Sequence, residues 1–138
     1  MLRNLGAVLV GLVVGNLWNM GLVMLNAKLI APLPEGVDMM DPAQAEAIQA
    51  WIQGLPVHAF LVVLVAHAGQ AALGGGLAAR LGASHPQVLA WIIGGLTLAG
   101  AAYNQVALNG PAWMWIDLPL IAAATWFVAQ LEVKRRAG

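Results

Sequence analysis

The side chains that move protons or hold ions in other proteins lie, in this sequence, inside apolar runs. His58 and His67 stand in "LPVHAFLVVLVAHAGQAALGGGLAARL", residues 55–81, and Tyr103 and Asn104 precede Gln105 in "YNQ". Asp117 stands in "GPAWMWIDLP", and Asn16, Asn19 and Asn26 punctuate the first apolar run. An ionisable group in hydrocarbon is costly and is a functional hypothesis by default. The Asp117 carboxyl must therefore be neutral, in contact with water, or paired. Lys28, His58, Tyr103 and Asn104 are expected at similar depth, and with Asn26 and Asp117 they form a candidate polar pocket open to the outer side. The alternative is a hydrogen-bond network that fixes helix register, at about 1 kcal/mol per contact.

His67 belongs deeper. On a regular helix the two histidines are roughly 13 Å apart along the axis and half a turn apart around it, so they cannot clamp one metal ion. Gln70, one turn after His67, shares its face, and with Asn16 and Asn19 the two make a candidate intramembrane polar network. Three readings are open for His67: an interhelical hydrogen bond, a proton path, or ligation of a haem or pigment through a neutral ring nitrogen. No catalytic set and no metal-ligating set is expected, and no cofactor is required.

Composition determines what positions these groups. Of 138 residues, 61% are hydrophobic and 9% charged, and the mean hydropathy is +0.79, far outside the range of soluble domains. With no cysteine, disulfides, thiolate metal sites and cysteine nucleophiles are excluded. A membrane helix needs about 20 apolar residues, and four stretches qualify, at residues 5–30, 56–80, 86–108 and 111–131. The expected fold is all-α, a single polytopic domain over residues 1–138, with four transmembrane helices in a bundle. The first stretch reads as a permanent helix rather than a signal peptide, because it is long, carries Asn16 and Asn19, and lacks a small-x-small cleavage site.

The long first loop holds a short helix at residues 42–53, introduced by Asp41, Pro42 and Gln44 in a capping arrangement. Ile48, Trp51 and Ile52 share one face, so this helix is expected on the outer membrane surface, the alternative being a lid. Trp51, Trp113 and Trp115 are expected as interface anchors. Basic residues Arg3, Arg80, Lys134, Arg135 and Arg136 alternate in side with the acidic first loop, which places both termini in the cytoplasm. Small residues four apart mark packing faces: Gly11 and Gly15, Ala71, Gly75 and Ala79, and Gly95 and Ala99. Gly74, Gly75 and Gly76 permit either close packing or a bend.

With "LIAPLPEGVDMMDP" in the first loop, the 55–81 stretch and "NGPAWMWIDLPL", the chain resembles an uncharacterised family of small four-helix bacterial inner-membrane proteins. The resemblance spans nearly the whole chain and rests on Pro34, Glu35, Gly36, Asp38, His67, Gly69, Gly75 and Trp113. It implies the four-helix inner-membrane fold and no activity. The leading expectation for function is a non-catalytic accessory subunit, in contact with the bilayer and with other membrane chains or a second copy of itself, and not with nucleic acid. The alternatives are a homo-oligomeric small transporter or channel using the outer polar site, and a lipid-acting membrane enzyme.

Overall fold

Apolar runs of this length satisfy their backbone groups internally only as helices, and the chain is helical almost throughout. A computed structural model describes residues 1–38 and 41–138; Met39 and Met40, within the quoted loop motif, lie outside the described residues. The helices are α1 (Leu2–Leu29), α2 (Ala45–Gln53), α3 (Val57–Leu81), α4 (Pro86–Ala107) and α5 (Asp117–Ala137). Short 3-10 segments, Pro42–Gln44 and Ala112–Ile116, lead into α2 and α5. Four helical stretches, α1, α3, α4 and Ala112–Ala137, are long and apolar enough to cross a membrane. Among the described residues there is no strand.

Helix ends and apolar windows do not coincide. α1 starts at Leu2 rather than near Leu5, and α5 runs past Leu131 to Ala137. The extra residues at the α5 end include Glu132, Lys134, Arg135 and Arg136, which lower hydropathy but are good helix formers.

α3 is the central element, contacted by α1, α4 and α5. Its three consecutive glycines each meet a different neighbour, as a 100° turn per residue requires. A Cβ on Gly74 would stand 2.6 Å from the Gly11 carbonyl oxygen of α1; one on Gly75 would stand 3.3 Å from the Ala90 oxygen of α4; one on Gly76 would stand 3.7 Å from Val128 of α5. The triplet does not interrupt α3, which continues unbroken to Leu81. Around it Ala71 packs with Ala101 and Ile121, and Ala79 with Ala90 and Ala129. Gly15 rests on the Gln70 backbone.

The expected Gly95 and Ala99 packing face is corrected. Both residues are exposed, and nothing lies within 4 Å of a Cβ placed on Gly95. Its neighbour Gly94 is buried instead, directly under Thr125 of α5. Small residues four apart occur both at Ala90 and Gly94 and at Gly95 and Ala99, and spacing alone does not say which row packs within the chain.

α2 packs on protein, the contact that the lid alternative calls for. Its Ile48 and Ile52 are buried against Phe60, Leu64 and Met114, so the apolar face covers the ends of the long helices. Periodicity shows which face is apolar and leaves open what that face meets. The Trp51 indole donates to the Pro32 carbonyl at 3.1 Å, and Asp41 accepts from the Ala43 amide at 2.9 Å to start the segment.

At the opposite end the α3–α4 turn is fastened by both ends of the chain. Arg3 donates to the Leu81 carbonyl at 2.8 Å, and the Asn4 side chain accepts from the Ala83 amide at 2.7 Å. The Arg136 guanidinium donates to the carbonyls of Ala79 and Gly82, satisfying the C-terminal end of α3.

Gly74→Ala is expected to destabilise the fold by about 1–3 kcal/mol through overpacking, measured by reversible unfolding in mixed micelles. Gly76→Ala and Gly95→Ala should stay within about 0.5 kcal/mol of the parent.

Candidate functional site

Pro111 starts a 3-10 segment whose rise, about 2.0 Å per residue against 1.5 Å in an α-helix, carries the chain inward quickly. Trp113 meets Phe60 of α3 edge-on, with ring centroids 5.7 Å apart and planes at 82°. Met114 is buried in the cluster below α2. The next turn begins α5 and delivers Asp117, only 5% exposed, to the flank of α3. There its Oδ2 lies 2.5 Å from Nδ1 of His67. An N···O separation this short needs a proton between the two atoms, on whichever of them it resides.

This pairing corrects the expected partners of Asp117. His58 and Lys28 are exposed and neither lines the space beside Asp117. Tyr103 and Asn104 border that space without bonding to the carboxylate; Tyr103 is 72% exposed. Spacing orders residues along one helix and leaves the axial offset between helices open, so it does not show that Asp117 reaches the level of His67.

Asn16, Asn19 and Gln70 come together beside the pair. Asn19 donates to Gln70 at 2.5 Å, Gln70 to Asn16 at 3.4 Å, and Asn16 to the Leu12 carbonyl at 2.8 Å. Asn26, 8% exposed, donates to the Ala59 carbonyl at 3.0 Å. Of the three tryptophans expected as anchors, Trp51 and Trp115 border the cavity described next, and Trp113 holds Phe60.

Beneath α2 lies a cavity of about 760 Å³ between α1, α3, α4 and the start of α5. Its walls are mostly apolar and aromatic, including Met20, Met24, Phe60, Trp51 and Trp115, with His67, Asp117, Asn19, Asn26 and Asn104 as polar points. A narrower space of about 310 Å³ shares Asn19, His67 and Asn104 and continues past Gln70, Asn16 and Thr97. Beyond it α1 closes onto α3 at Gly11 and Gly74.

Two buried acceptor atoms in the cavity wall, Oδ1 of Asp117 and Oδ1 of Asn26, receive no hydrogen bond from the protein. Each such atom costs about 1–3 kcal/mol, so each favours a hydrogen-bond donor that the described residues do not supply. With Nδ1 engaged by Asp117, Nε2 is the remaining ring nitrogen of His67 for a proton or a ligand. Among the described residues no group of three or more His, Asp or Glu is placed to hold a metal ion.

No family model, curated protein or solved structure matches this chain.

One positioning element escaped sequence reasoning although its residue was in view. Gly69, two residues after His67, is where the Trp18 indole of α1 lies on α3; a Cβ there would overlap the ring. The indole nitrogen faces the Val65 carbonyl at 3.5 Å. Gly69 thus sets the distance between α1 and the face of α3 that carries His67. Gln105 was likewise seen only as part of "YNQ"; its amide donates to the Pro111 carbonyl at 2.8 Å and anchors the turn that delivers Asp117.

Gly69→Ala should therefore expel Trp18 from its seat, with a shift in tryptophan emission and a loss of about 1–3 kcal/mol of stability. Unchanged emission against a Trp18→Phe control would contradict this role.

Proposed function

We propose that the chain is a small multi-pass membrane protein of the transporter or channel type, in which His67 and Asp117 form a proton-bearing binding site at the floor of the cavity under α2. The observation that carries this reading is the 2.5 Å His67–Asp117 contact in the wall of a cavity, with the second carboxylate oxygen unpartnered. Buried ion pairs contribute little net stability, because desolvation offsets their attraction. A pair placed beside open space has a use other than holding helices together. An enzymatic reading has less support: general acid–base work would have a dyad here, but Thr97 and Thr125 donate to their own helix carbonyls, and no cysteine exists to act as a nucleophile.

The orientation proposed is that of a bacterial inner-membrane protein with both termini in the cytoplasm. It is supported by the basic residues Arg3, Arg80, Lys134, Arg135 and Arg136 at one end of the long helices and by Glu35, Asp38, Asp41 and Glu46 at the other. The cavity then opens to the outer side.

A pH jump applied to proteoliposomes on a solid-supported membrane tests the reading. Charge displacement is expected with the parent chain and should be reduced at least about tenfold in Asp117→Asn and His67→Gln, since each removes one partner of the proton-bearing pair. Equal signals in all three, with assembly intact, would remove it.

A second reading, an accessory subunit, is favoured by the exposed Gly95 and Ala99 on α4, spaced for a helix from another chain. Native mass spectrometry of the gently extracted protein should then detect a second copy or a foreign membrane chain, lost on Gly95→Leu. A monomer in both would exclude that use of the face.

A further inference from the structure

Building on the proposed proton-bearing site, we infer that the cavity under α2 takes a protonated organic amine with an apolar body, which enters as the pair gives up its proton. Three features of the cavity point to this class. Its wall includes Asp117, 5% exposed, whose Oδ1 receives no hydrogen bond among the described residues, and nearer α2 it includes Asn26, whose Oδ1 receives none either. Asn26 bonds to Ala59, eight residues before His67, so the two acceptors are about 12 Å apart along α3. Between them the wall is apolar and aromatic, with Phe60 and Trp115 among its surfaces. No Lys or Arg lines it, so an anion would meet no opposite charge.

A neutral apolar ligand would leave both acceptors unsatisfied, and an alcohol would donate one hydrogen bond without charge. An ammonium supplies N–H donors and a positive charge at Asp117, while its apolar body lies on aromatic rings that also attract cations. Binding and proton release balance. In the proton-loaded form the pair is imidazolium with carboxylate. The arriving ammonium repels the imidazolium proton, which leaves to solvent; neutral His67, the Asp117 carboxylate and the ammonium remain, at unchanged net charge. The titratable groups that line the cavity are His67 of α3, Asp117 of α5 and Tyr103 of α4; α1 and α2 contribute none.

The test uses the full chain in lipid nanodiscs and three probes of similar shape. Phenethylamine carries charge and N–H donors, its N,N,N-trimethyl analogue carries charge alone, and 2-phenylethanol carries one neutral donor. Isothermal titration of each disc is corrected by titration of protein-free discs of the same lipid, which removes partition into lipid. Phenethylamine is expected to bind the parent at least about tenfold more tightly than Asp117→Asn, and at least about tenfold more tightly than either analogue. Its affinity should fall as pH is lowered, and His67→Gln should remove that dependence. Should Asp117→Asn fail to assemble, the comparison of the three probes on the parent still decides. Equal binding of amine and trimethyl analogue, or none of the amine, overturns the amine class. If those results come with an intact pH-jump signal, the proton-bearing site stands and only its ligand class is wrong; loss of that signal in the parent overturns the site itself.

Discussion

The contact on which the molecule depends is the approach of α1 to α3 through Gly11 and Gly74, close enough that a Cβ on either would meet the other's carbonyl oxygen. In lipid no water is released when helices meet, so dispersion at close range has to hold them. Small residues supply it on all three faces of α3 around the glycine triplet. Toward α2 the same helix carries Gln70, His67, Leu64 and Phe60, which keep the neighbours further away. The result is one half that is closely packed and one half that is hollow. In the hollow half α1 is held by polar side chains, Asn19 to Gln70 and Asn26 to the Ala59 carbonyl.

This division explains why the His67–Asp117 pair sits where it does. Within the tight half a carboxylate would be desolvated with nothing but its partner to compensate it. At the helix ends both groups would be solvated and weakly coupled. In the cavity wall the carboxylate keeps one oxygen on His67, and its other oxygen receives no donor from the described residues. The 3-10 segment, with the Gln105 bond to the Pro111 carbonyl, sets the turn that delivers Asp117.

Reading the residues in order made the spans visible, because apolar length is a local property. The participants in the site were visible too: His67, Asp117, Asn19, Asn26, Asn104 and Gln70 were all singled out by being polar in apolar runs. Their partnerships were not, because pairing depends on the axial offset and rotation of one helix against another, which spacing within each helix leaves open. Gly95 shows a related limit: small residues four apart occur both at Ala90 and Gly94 and at Gly95 and Ala99, and only the position of Thr125 on α5 shows that the first row is the one packed here. For α2, amphipathicity marked Ile48 and Ile52 correctly as a burying face but could not distinguish lipid from the ends of α3 and α5.

The guanidinium of Arg136 occupies carbonyls at the end of α3, and Arg3 and Asn4 hold the same turn from the other side. Arg136 stands 57 residues after Ala79 and 54 after Gly82, so the C-terminal end of α3 is capped from the far end of α5 and not by its own local sequence. The turn after α3 is thus completed by contacts between distant elements, and a loss confined to the last turn of α5 would leave the central helix uncapped.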